Sequence, residues 1–174
     1  MNIRRIGCAI LLAAALLSPA LPAKAQSMTG SLSSKAQPSG NKTAKLVSLM
    51  KQCGFNYVTT NSPTVFVIHS AGTHLKDIKT ILALGDDEDS DLVVFVTVAE
   101  KRRLPATADF RYTLLKMNHE FDMVKVGFDH DDDLSVRIDA SSRLADATYL
   151  KNVVGQIQRA SDEIYGKIQP SLQP

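Results

Sequence analysis

The chain has 174 residues, of which 44% are hydrophobic and 22% charged, a balance that excludes fibrous and disordered classes and suits a single globular domain. Its net charge of +2 turns to −1 once Arg4, Arg5 and Lys24 leave with the N-terminal segment, and no basic stripe with interleaved aromatics follows. That excludes a nucleic-acid partner.

The first 25 residues have the order of an export signal: a positive Arg4-Arg5, the apolar run Ile6–Leu17, the helix breakers Pro19 and Pro22, then Ala23-Lys24-Ala25. The apolar run is shorter than the roughly 20 residues a membrane-spanning helix needs. Cleavage after Ala25 is expected, with Gln26 as the new terminus, a periplasmic or secreted destination and no membrane span. Cys8 leaves with the signal, so Cys53 is the one remaining cysteine and no internal disulfide is possible.

Residues 26–41 are rich in Ser, Gly, Gln and Pro and read as a flexible leader. The folded domain is expected over 42–168 and a polar tail over 169–174. The first helix runs from an Asn41 N-cap to Cys53 and stops at Gly54. Cys53 falls on its apolar side with Leu46, Leu49 and Met50, as a buried small hydrophobe. Asn41-Lys42-Thr43 is formally a glycosylation sequon, without consequence on a bacterial export.

Strands are predicted at 55–60, 64–70, 79–84 and 92–99 from their β-branched and aromatic composition. Leu75, Ile78 and Leu82 also fit a helix, but the acidic loop 85–91 reads as a hairpin turn and favours a strand. Leu92 to Ala99 is apolar at nearly every position, as in a central strand covered on both sides. After a connector carrying Lys101-Arg102-Arg103, the period becomes helical: Phe110, Leu114, Met117 and Phe121 form a stripe on a helix over 109–120. Alternation then gives a hairpin, 124–128 and 134–139, around Asp129–Asp133. Asp146 caps a last helix over 147–168 with Leu150, Val153, Val154, Ile157, Ala160, Ile164 and Ile168 inward. This order predicts an α+β fold: a mostly antiparallel sheet packed by helices.

No reaction chemistry stands out. Asp129, Asp131 and Asp133 begin like a calcium loop, but the sixth and twelfth positions, which should be Gly and Glu, are Leu134 and Ala140. A solvated turn explains the acids, here and at 86–91. His119-Glu120 opens a zinc-protease motif that fails at Met123. His69 and His74 have no partner at useful spacing, and Lys101-Arg102-Arg103 reads as a solvated loop. No nucleophile elbow, phosphate loop or dinucleotide fingerprint occurs. Catalytic, cofactor and metal residues are therefore expected to be none.

Four motifs carry a resemblance: Leu114-Leu115-x-x-Asn118-His119, Lys125-Val126-Gly127-Phe128-Asp129, Val136-Arg137-Ile138 and Asp162-Glu163-x-Tyr165. In their order and spacing, residues 45–168 resemble the YbjN-like family, whose members carry the label of bacterial sensory transduction regulators. The resemblance implies a type III secretion chaperone-like fold, α-β-β-β-α-β-β-α with room for an added strand, often a homodimer and non-enzymatic. It implies a protein partner and brings no catalytic residue with it. The reading is an exported chaperone-like or adaptor module, acting in envelope regulation. The alternative is an envelope sensor of a small ligand or metal, with an enzyme the least favoured.

Overall fold

The computed structural model describes residues 38–85 and 91–174, with side chains from Asn41 onward. The export signal, the leader up to residue 37 and the acidic residues 86–90 lie outside the described residues. All described residues belong to one unit, Ala36–Pro174.

Six strands form one antiparallel sheet: β1 (Tyr57–Thr59), β2 (Val65–Ser70), β3 (Ile78–Leu84), β4 (Leu92–Ala99), β5 (Lys125–Phe128) and β6 (Leu134–Ala140), in the spatial order β1-β2-β3-β4-β6-β5. The last hairpin enters the sheet by its second strand, so β6 lies beside β4 and β5 takes the edge. Three helices complete the domain: α1 (Pro38–Gln52), α2 (Ala108–Met117) and α3 (Ala147–Ile168). The α+β class, the antiparallel pairing and the choice of strand for β3 agree with the sequence reading.

The period of two decides which side of each strand is covered. Phe66, Ile68, Leu82, Val94, Val96, Val136 and Ile138 are buried and point to one face. α3 lies across β3, β4 and β6 on that face, and its seven inward residues named from periodicity are all buried. Asp146 caps it as expected, its carboxylate accepting the Tyr149 N–H at 2.7 Å. α1 packs on α3, and α2 packs against β5.

Three local expectations change, and Phe128 is left exposed. α1 begins at Pro38, so Asn41 is inside it and exposed rather than capping it; Pro suits a helix start because its missing N–H would lack an intrahelical partner there. α2 ends at Met117, so Phe121 lies beyond it, half-buried, with the Lys167 ammonium 5.6 Å from its ring centre. Phe128 alternates with the core residues of its hairpin but stays 46% exposed, because β5 is an edge strand. β4 is covered on one side only: Val93 and Phe95 point away from the helices and are half-buried, and Thr97 is exposed.

Candidate functional site: the open face of the sheet

The face turned away from the helices is built from the intervening strand positions. One row crosses all six strands: Val58 pairs with Val67, Val67 with Ile81, Ile81 with Phe95, Phe95 with Arg137, and Arg137 with Lys125. At a strand spacing of about 4.8 Å it spans roughly 24 Å. A second row joins Val65, Ala83, Val93 and Asp139. In these two rows the β1–β4 part is apolar, and the polar residues His69, Lys79 and Thr97 border it on the same face. Val58 is 57% exposed and the other apolar members are half-buried. A solvated sheet face ordinarily alternates polar residues outward, so four strands presenting Val, Ile and Phe make a surface with reason to be covered.

The β5–β6 end is charged and linked by ion pairs. Asp139 accepts from Lys125 Nζ at 2.7 Å and from Arg137 Nε at 2.6 Å. Burial works against its charged form, but these two cationic donors outweigh that and hold its carboxyl below the usual range. Between the charges and Phe95 lies a shallow cavity of about 310 Å³, floored by Val93, Gly127 and Ser135.

The residues singled out by sequence are dispersed and structurally engaged. Asp129 Oδ1 accepts the N–H of Asp131 and of Asp133, both at 3.0 Å, which closes the hairpin turn. Asp133 accepts the Lys101 N–H and Asp132 pairs with Lys101 Nζ, each at 2.7 Å. Arg102 pairs with Glu100, and Arg103 Nε donates to the Gln173 carbonyl. The basic triplet is thus taken up locally. His119 is exposed just past the end of α2. Cys53 is half-buried; its thiol donates to the Ala147 carbonyl at 3.1 Å, and burial pushes its pKa up, away from reactivity. His69 does have a partner: Asp77 Oδ1 lies 2.9 Å from its Nδ1 across the β2–β3 hairpin. No metal-sized group of three His, Cys, Asp or Glu side chains occurs among the described residues.

Three arrangements escaped sequence reasoning. Asp91, read as part of a solvated loop, is wholly buried. It pairs with Lys42 at 2.9 Å and accepts from Ser142 N at 2.7 Å and Ser142 Oγ at 2.6 Å. Desolvation opposes its charge, but Ser142 and Lys42 together hold its carboxyl below the ordinary range. Asn118 satisfies both backbone groups of Val126: Nδ2 donates to the carbonyl at 3.1 Å, and Oδ1 accepts the N–H at 2.7 Å. Asp162 accepts three consecutive backbone N–H groups, from Thr73, His74 and Leu75 at 2.7–2.9 Å, and fastens the β2–β3 turn to α3. Asn118 and Asp162 lie in the motifs that carry the family resemblance, but their roles depend on partners 8 and 87–89 residues away.

No protein-family model and no curated protein matches the chain, so these comparisons lend no support to the YbjN-like likeness in particular. Among solved structures, the Yersinia pestis type III secretion chaperone SycH, solved with a stable fragment of YscM2, is similar with TM-score 0.46 and 19% identity over 69% of this chain and 96% of that one. A chain of the heterodimeric ExoU–SpcU complex of the Pseudomonas aeruginosa type III secretion system is similar with TM-score 0.48 and 15% identity, over 73% and 97%. No described helix is long and apolar enough to cross a membrane.

Proposed function

We propose that this chain is an exported, non-enzymatic adaptor that binds another protein through the open face of its sheet. One observation carries the reading: the Val58–Val67–Ile81–Phe95 row, apolar across four strands on the side away from the helices. Its partner presents apolar side chains to β1–β4 and polar groups to Lys125, Arg137 and Asp139. Export rests on the N-terminal signal pattern, and membership of the YbjN-like family on the four motifs. The module pairs with a second copy at the α2–β5 end, where Tyr112, Leu115, Met123 and Phe128 are exposed.

The test is complementation of a deletion strain. Ile81→Asp or Phe95→Asp should abolish function while the purified protein stays folded. His69→Ala, His119→Ala and Asp131→Ala should complement fully. Loss of function from one of these polar changes, with the fold intact, would replace the adaptor by a chemical site.

A further inference from the structure

We propose that the groove between α3 and the β2–β3 turn is a second recognition site, which takes an extended acidic segment of a partner polypeptide. The groove is an open depression of about 870 Å³ on the helical side of the sheet, away from the Phe95 row. One wall is the outward face of α3, with Lys151, Asn152, Gln156 and Arg159. The other is the turn at Ala71–Thr73, held down by Asp162.

Charge gives the sign of the ligand. Lys151 and Arg159 are exposed, and neither has an ion-pair partner among the described residues. The acid in the lining, Asp162, already has its oxygens engaged by three backbone N–H groups. The groove therefore lines up two cations without ion-pair partners beside a carboxylate whose oxygens are already engaged.

Geometry favours a chain over a compact anion. Lys151 and Arg159 are eight positions apart on α3, or about 12 Å along its axis. An extended polypeptide covers that distance in about three to four residues. Between them lies Gly155, which weakens the helix interior. Packing does not require it, because a Cβ there would meet nothing within 4 Å. Its bare backbone leaves the groove floor clear for close approach, and Asn152 presents a donor and an acceptor of the kind a peptide backbone pairs with.

The test uses the full chain and a fluorescein-labelled hexaglutamate peptide, followed by fluorescence anisotropy. Saturable binding is expected, weakened about fivefold or more in the Lys151→Ala/Arg159→Ala double variant, as loss of two exposed charge contacts implies. Gly155→Leu should also weaken it while leaving the melting temperature unchanged or raised, an outcome that a merely structural glycine would not give. Phe95→Asp should leave hexaglutamate binding intact, which separates this site from the sheet face. Absence of saturable binding overturns the proposal, as does binding indifferent to all three groove substitutions. Displacement by inorganic pyrophosphate at concentrations equal to the peptide's overturns the choice of a chain, because a compact anion would then suffice.

Discussion

The Asp162 carboxylate occupies the space that a side chain on Gly72 would need: a Cβ there would lie 2.2 Å from Asp162 Oδ1. Glycine at this position and aspartate on α3 therefore depend on each other. Gly72→Ala should destabilise the domain by about 1–3 kcal/mol, because turn or helix must move. Asp162→Ala leaves three N–H groups without their acceptor and should cost a similar ~1–3 kcal/mol. Denaturant unfolding measures both. Hydrogen exchange at Thr73, His74 and Leu75 should accelerate selectively in the Asp162 variant; unchanged exchange there would mean that the turn is held by something else.

Asp91 makes the stronger claim about stability. Asp91→Ala removes a wholly buried carboxylate from Lys42 and Ser142, and Lys42→Met leaves that charge with Ser142 alone. Each should cost about 3 kcal/mol, in the range for breaking a buried pair. α1 should loosen first, because Lys42 belongs to it.

Acid should act through the same two carboxylates. Burial opposes the charge of each, but their hydrogen bonds prevail and set both folded-state pKa values below the ordinary 3.8. A depressed carboxyl contributes stability that is complete above its unfolded pKa and disappears as pH falls through the folded value. Melting temperature should thus be insensitive to these groups at neutral pH and should drop below about pH 4. In Asp91→Asn the acid drop should be smaller than in the parent, with a lower starting stability.

At the α2–β5 end, Leu115 is 65% exposed and Tyr112 60% exposed. If this is the seam between two copies, Leu115→Asp should convert dimer to monomer in sedimentation equilibrium, since it places an unpaired charge in an apolar contact. A dimer that survives unchanged would put the seam elsewhere.

Calcium should matter little. The Asp129 and Asp133 oxygens that a calcium loop would use accept backbone N–H groups of the turn and of Lys101. Calorimetry should find no site tighter than ~10⁻³ M, the weak extracellular range. A micromolar site lost in Asp131→Asn would make the metal-sensor reading the better one.

Periodicity revealed the long elements because their buried faces are written in local spacing: all seven inward residues assigned to α3 are buried. It located the β5–β6 hairpin but could not order it, since the swap that puts β6 beside β4 is decided by pairing across the chain. The uniform apolarity of β4 was legible, but its cause was not. Val93 and Phe95 read like core residues because apolarity alone does not tell which side of a strand the helices cover. Asp91 shows the opposite failure: an acid at the end of an acidic run reads as solvated, and only its contacts with Lys42 and Ser142 place it inside.

Asn118 has a consequence for how copies of this protein can assemble. Head-to-tail polymerisation of sheets needs two receptive edges on every molecule, one to donate and one to accept. At the β5 edge, Asn118 already occupies both backbone groups of Val126. A strand arriving at that edge would meet these two groups already paired. Asn118→Ala would free both groups of Val126 for such a strand, so its expected defect is self-association in sedimentation rather than loss of the fold.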